Sequence, residues 1–257
     1  MTPEVTAART AVERWLTSTR PAVVFDFNGT LSNDEPILFD IFSDLFAARL
    51  GWQMTTEEYR DELLGHSDRE IIDIAVARHG SGEDDQATEL LRLRGEHYKQ
   101  RVAARNPIAD TTVELVTHLA RHQIPMAVVT GAQRSDVVAV LDNSAAGRHI
   151  QFLVAEEDVA NGKPDPEGFL TAARMLRRKP SDILVFEDSV PGVRGAMAAH
   201  MHCIAVAAEP TPELRAVAPA IVGELSIDIV SDALPIARCG DASERASAGS
   251  AASTRHE

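Results

Sequence analysis

Cysteine is scarce in this sequence: two in 257 residues, Cys203 and Cys239. They stand in no metal-like spacing and cannot build a disulfide framework, so a reduced, cytoplasmic setting is expected. Basic residues are also in deficit, 25 Lys and Arg against 39 Asp and Glu, for a formal net charge of −14. Such a balance argues against a broad nucleic-acid footprint. It does not exclude a small anionic substrate, because a local cation can invert the field inside one pocket. No apolar run is long enough to span a bilayer. The opening "MTPEVTAARTAVERWL" lacks a basic start followed by an apolar block, so it does not read as a secretory signal. There is no internal repeat.

What is present is a rhythm. The stretch 21–28, "PAVVFDFN", carries Val23, Val24 and Phe25 in succession, the pattern of a strand covered on both faces. Similar runs recur at 124–130, 151–155, 182–188, 202–207 and 220–225, with helical stretches between most of them. Strand and helix in alternation predict an α/β fold, a doubly wound, mainly parallel sheet with helices on both faces.

One interval breaks the rhythm. About ninety residues without strand character separate the first two strands, far beyond an ordinary connection. In "DEPILFDIFSDLFAARL", Ile37, Ile41 and Leu45 share a helical face, with Leu38, Phe42 and Phe46 beside them. Further helices are expected near 55–64, 68–79 and 84–104. The chain is therefore divided into a core domain, 1–34 and 106–236 with a leading helix at 3–19, and an inserted helical domain at 35–105. Pro36 and "NPIAD" mark the crossings. The segment 237–257, rich in Ser, Ala and charge, is expected to be disordered.

In an open parallel sheet, ligands gather outside the carboxyl ends of the strands. The first strand ends in Asp26, the second in Thr130 and Gly131, and the fourth in Glu187 and Asp188; Lys163 lies in the loop "NGKPDPEGF". These groups suit phosphoryl chemistry. A carboxylate at Asp26 can attack phosphorus and form an aspartyl phosphate, dividing one hard displacement into two easier ones. Asp26, the Asn28 main-chain carbonyl and Asp188 can offer hard oxygens to magnesium. Thr130 and the Gly131 amide can donate to phosphoryl oxygens, and Lys163 supplies a fixed positive charge. Gly29 lets the backbone turn sharply beside the phosphate.

The ordered set "DFNGT", "VVTG", "GKPDPEGF" and "FEDSVPGVRGA" resembles the haloacid dehalogenase superfamily, in the subfamily that keeps a helical cap between the first two motifs. The resemblance covers residues 21–232. It implies a Rossmann-like core, a cap at 35–105, a Mg²⁺ cofactor and a small phosphorylated metabolite as substrate, with no nucleic-acid or membrane partner. It makes Asp26 the nucleophile, Thr130 the phosphate-binding hydroxyl, Lys163 the charge-neutralising lysine, Asp188 a direct metal ligand and Glu187 a metal-site carboxylate.

Asn28 departs from the pattern. Family phosphatases and mutases usually carry an aspartate two residues after the nucleophile, which protonates the leaving oxygen and then deprotonates the acceptor. Loss of such help costs on the order of 10²–10⁴ in rate. Three readings follow: a phosphatase whose leaving group needs little protonation, such as an acyl or aryl phosphate, or which takes its proton donor from the cap; a slow or non-catalytic phosphate-binding regulator; or a dehalogenase. A β-phosphoglucomutase-like variant of the first needs the missing acid more than a phosphatase does.

The family's caps read the substrate through a loop, and "LLGHSDREII" at 63–72 resembles it, which makes His66, Ser67 and Arg69 candidate substrate contacts. The spacing equally predicts that Ser67 caps a helix starting near Asp68, with Glu70 as the capping-box acid. Arg134, just past the second motif, is a further candidate contact to phosphate, with a surface position as its alternative.

Overall fold

The computed structural model describes residues 3–64, 66–81 and 85–234; the expected tail at 237–257 lies outside them. The first strand, β1 (Ala22–Phe25), follows helix α1 (Pro3–Leu16). The chain then makes α2 (Glu35–Leu50), a short α3 (Thr56–Glu58) that runs into a π-helical turn at Tyr59–Leu63, α4 (Asp68–His79), α5 (Gln86–Ala104) and α6 (Asp110–Arg121). Strand β2 (Met126–Val129), α7 (Arg134–Leu141), β3 (Ile150–Val154), α8 (Glu167–Leu176), β4 (Ile183–Glu187) and α9 (Val190–Ala198) continue the alternation. It closes with β5 (His202–Val206), α10 (Pro212–Val217) and β6 (Ile221–Val222).

The six strands form one sheet in the order β3-β2-β1-β4-β5-β6, every neighbouring pair parallel. Strand residues alternate between two apolar layers, as the pleat requires. Val23, Phe25, Val128, Leu184 and Phe186 face α1, α6 and α7. Val24, Ala127, Val129, Val185 and Ala205 face α8 and α9. Both faces are covered, which is why the strands read as continuous apolar runs. Among the described residues no helix is long and apolar enough to cross a membrane.

Several elements are shorter than the sequence suggests. β1 stops at Phe25 because the chain folds back on itself, Ser32 N donating to Phe27 O at 2.9 Å and Gly29 N to Ser32 O at 2.8 Å. β6 keeps two residues of an expected six, and it is bonded to β5 at its ends by Ala205 N donating to Ala220 O and Ala207 N to Val222 O. The leading helix ends at Leu16, where Thr17 Oγ1 turns back onto Arg14 O.

Between β1 and β2, α2, α4 and α5 pack on one another. Leu38, Ile41, Phe42, Leu45 and Phe46 are the buried face of α2. They share one apolar cluster with the α1 side of the sheet. α5 also packs against α7, which holds the inserted helices beside the carboxyl end of β2.

Candidate active site

Asp26 directly follows β1, and its N–H donates to Phe186 O at 2.9 Å. Strand pairing thus fixes its backbone at the sheet's carboxyl edge while the side chain leaves the ladder. Lys163, from the loop between β3 and α8, reaches across to Asp26 Oδ1 at 2.5 Å and to Glu187 Oε1 at 2.6 Å. Glu187, the last residue of β4, is fully buried. Its other oxygen accepts from Ser189 N at 2.6 Å and Ser189 Oγ at 2.9 Å. Asp26, Glu187 and Asp188 can bring one oxygen each within 4.8 Å of one another.

Two glycines make this crowding possible. Gly29 sits at φ +75°, and a Cβ there would lie 2.1 Å from Asp188 Oδ2. A Cβ on Gly192 would lie 1.6 Å from Glu187 Oε1. Neither position tolerates a side chain while those carboxylates stay in place.

Three carboxylates gather around one ammonium. Burial pushes Asp26 up to about 6, against the pull of Lys163 and with a push from Glu187. Asp188 rises to about 8, first from burial and then from repulsion by Asp26 and Glu187. Burial works against the Lys163 charge too, but Asp26 and Glu187 outweigh it and keep the ammonium protonated beyond its ordinary range. Asp26 Oδ2 is buried and has no hydrogen-bond partner among the described residues. A buried, unpartnered carboxylate oxygen beside excess negative charge fits a hard divalent cation.

Thr130 and Gly131 follow β2. Thr130 Oγ1 accepts from Ala132 N at 3.0 Å, which leaves its own proton free to donate. With Lys163 they line a cavity of about 920 Å³. His66, Ser67 and Arg69, the candidate substrate contacts, line the same cavity. Ser67 also caps α4, with Glu70 N donating to Ser67 Oγ at 3.3 Å and Ser67 N to Glu70 Oε2 at 2.8 Å. Arg69 Nε donates to Asp73 at 3.1 Å. Arg134 differs: its guanidinium is bonded to Asp158 and to Leu153 O, and it is not among the residues lining that cavity.

A buried polar network went unrecognised in the sequence. Asn28 Nδ2 donates to Asp34 Oδ2 at 2.9 Å, and Tyr98 Oη donates to the same oxygen at 2.5 Å. Asp34 has no exposed surface. Burial raises its pKa, against the lowering effect of those two hydrogen bonds. Arg94, itself buried and 4.7 Å from the Tyr98 ring centre, pairs with Asp68 at 2.8 Å and with Asp136 of α7. One signal was available: Leu90, Arg94, Tyr98 and Val102 recur every four residues and form the buried stripe of α5, so a charge sits on an apolar face. Its partners, 26 to 42 residues away at Asp68 and Asp136, left no mark in the local pattern.

The family model described as haloacid dehalogenase-like hydrolase matches residues 23–206. Validoxylamine A 7'-phosphate phosphatase of Streptomyces hygroscopicus subsp. limoneus is 32% identical over 203 residues, 79% of this chain and 93% of that one. Hexitol phosphatase A of Escherichia coli K12 is 32% identical over 196 residues, 76% and 87% of the two chains. The crystal structure of CbbY from Rhodobacter sphaeroides with phosphate superposes with a TM-score of 0.67 at 27% identity, covering 81% of this chain and 96% of that one.

Proposed function

The chain belongs to the haloacid dehalogenase-like hydrolases, and from that membership we propose a magnesium-dependent phosphatase of a small phosphorylated metabolite, working through an aspartyl phosphate on Asp26. The observation that carries the proposal is the Asp26 carboxylate, one oxygen on Lys163 and the other buried without a partner. Two relatives are named hexitol phosphatase A and validoxylamine A 7'-phosphate phosphatase, which supports a small phosphorylated metabolite as substrate.

In this reading an Asp26 oxygen attacks phosphorus, and the bond to the leaving oxygen breaks with its electron pair going to that oxygen. Water then attacks the aspartyl phosphate at phosphorus, the bond from phosphorus to the Asp26 oxygen breaks with its electron pair returning to the carboxylate, and a water proton passes to solvent, which frees inorganic phosphate and restores Asp26. Lys163 offsets charge on Asp26 and on the transferring group, while the Thr130 hydroxyl and the Gly131 N–H donate to phosphoryl oxygens. Asp26, Asp188 and the Asn28 main-chain carbonyl would hold Mg²⁺, whose charge lets two anions approach. Glu187 acts on the metal site through water, because both of its oxygens already accept from Lys163 and Ser189. Residues 35–105 serve as the cap and 1–34 with 106–236 as the core, with His66, Ser67 and Arg69 reading the substrate beyond its phosphate.

An amide at position 28 cannot shuttle a proton, so the favoured leaving groups are those that depart without one, acyl and aryl phosphates among them. The second reading, a slowly hydrolysed aspartyl phosphate in a regulatory protein, draws support from the commitment of the Asn28 N–H to Asp34. Mutase activity needs the missing acid and is the weaker variant, and dehalogenation leaves Lys163 and the acidic cluster unexplained. A phosphate-release screen with and without magnesium tests the proposal. The parent should release phosphate only with the metal and Asp26→Asn should release none; acid-labile phosphate retained on the parent selects the slow reading. Metal-independent halide release overturns both.

A further inference from the structure

The cavity lined by Thr130, Gly131 and Lys163 holds one lysine and one arginine, and neither is free. Lys163 is held by Asp26 and Glu187, and Arg69 by Asp73 one turn along α4. His66 Nδ1 lies 3.7 Å from Glu70 Oε2. Outside the lining, Arg94 is shared between Asp68 and Asp136, and Arg134 is bonded to Asp158. The carboxylates of the lining are less evenly matched. Glu70 is committed to Ser67 and faces His66, and Asp165 Oδ1 accepts from Glu167 N at 2.9 Å. Glu156 presents an exposed side chain that has no hydrogen bond or ion pair among the described residues.

The backbone fixes where that charge stands. Glu156 N donates to Ala132 O at 3.2 Å and Thr130 N to Val154 O at 3.0 Å. The turn carrying Glu156 is thus tied to the loop carrying the proposed phosphate donors. From there Glu156 also repels Asp68, which lies between Ser67 and Arg69 on the inserted segment. Glu156 therefore stands beside the phosphate loop and within electrostatic reach of the segment assigned to the rest of the substrate, as a negative charge with no cation of its own.

We propose, resting on the phosphatase reading of this cavity, that the leaving portion of the substrate carries an amine and that Glu156 selects it. A second phosphate or a carboxylate on the substrate would meet Glu156 with no spare cation to receive it, because the ammonium and guanidinium groups there already have acids of their own. A neutral hydroxyl escapes that repulsion, yet it leaves the Glu156 charge unbalanced once bound substrate displaces water from around it. An ammonium group balances the charge and donates hydrogen bonds to a carboxylate that can only accept them. Glu156 is in this account a specificity-determining residue; it takes no part in the attack on phosphorus.

The test uses three aryl esters of similar shape, para-aminomethyl-, para-hydroxymethyl- and para-carboxymethylphenyl phosphate, whose leaving oxygens need little protonation. Their kcat/KM values are measured with magnesium at neutral pH, where an alkylamine is protonated, for the full-length parent, Glu156→Gln and Glu156→Lys. The parent should prefer the amine to the carboxylate by at least about fivefold, the scale of one exposed ion pair set against one like-charge contact. The hydroxyl ester should fall between them, and the spread should shrink as salt is raised. Glu156→Gln should bring the three together, the amine losing and the carboxylate gaining, and Glu156→Lys should invert the order. Damage to the fold would lower all three and invert nothing. A parent that treats amine and hydroxyl alike overturns the proposal, as does an order that survives Glu156→Lys. If the parent hydrolyses none of the three, calorimetric titration of the same unconsumed esters decides the charge selection. Tighter binding of the amine by the parent, reversed in Glu156→Lys, supports it, and equal affinities overturn it. Absence of turnover with para-nitrophenyl phosphate as well counts against the phosphatase reading alone.

Discussion

At the scale of single residues, Lys163 is the one to weigh. It is the only cation bonded to Asp26 and Glu187 among the described residues, and both contacts are short. Replacing it with Met removes the charge and keeps most of the bulk. The two acids are then buried without their cation, at a cost of about 3–5 kcal/mol for breaking such a group. Lys163→Met is therefore expected to lower the melting temperature of the metal-free protein and to reduce kcat by at least about 10²-fold, the scale for losing one preorganised charge-stabilising group. Added magnesium should recover part of the stability and little of the rate. A variant with near-parent kcat contradicts the role assigned to this ammonium. Lys163 and Asp26 were legible in the sequence because each sits in a short motif of distinctive composition. Asp34 was not, since what marks it is a contact with Tyr98 on a helix 64 residues away.

At the scale of elements, the junction of α4, α5 and α7 carries a charge cluster that periodicity shows only as an oddity. Arg94 holds Asp68 and Asp136 together, and Asp68 is pushed up to about 6, first by burial, against the pull of Arg94, with Asp136 and Asp34 adding repulsion. The folded protein therefore holds a proton on Asp68 that the unfolded chain, near the ordinary value of 3.8, releases earlier. The folded state binds more protons across this interval, so stability from this group is present at low pH and is lost as pH rises from about 4 to about 6. Asp68→Asn keeps an acceptor for Arg94 and should flatten that limb of the stability curve measured by denaturant unfolding. An unchanged slope contradicts the assignment. Arg94→Met, which leaves two acids buried without their cation, should destabilise by about 3–5 kcal/mol. The elements themselves were mostly legible: every expected strand is present, and so are the helices near 68–79 and 84–104. Their ends were less so, because the turn hydrogen bonds of Gly29 and Ser32 that follow β1 leave no mark in the side-chain pattern.

At the scale of the whole molecule, a chain of net charge −14 directs a lysine and a set of N–H and O–H donors to one end of its sheet. His66, Ser67, Arg69 and Glu70 of the inserted segment share the lining of the cavity there. Chemistry and selectivity should accordingly separate. Arg69→Ala, at a residue whose partner Asp73 lies on its own helix, should change the order of preference among phosphate esters and leave the magnesium requirement intact. An unchanged substrate profile removes the 63–72 loop from recognition. The sheet could be anticipated because buried parallel strands announce themselves as apolar runs. The wall formed by His66, Ser67 and Arg69 rested on the family likeness, since capping alone explains Ser67.

The most direct measurement is a rapid acid quench of the parent during turnover of a phosphate ester, followed by peptide mass mapping. One added phosphoryl group is expected on the peptide containing Asp26, dependent on magnesium and absent from Asp26→Asn. Phosphate release by Asp26→Asn at the parent rate, with no modified peptide in either protein, would contradict it.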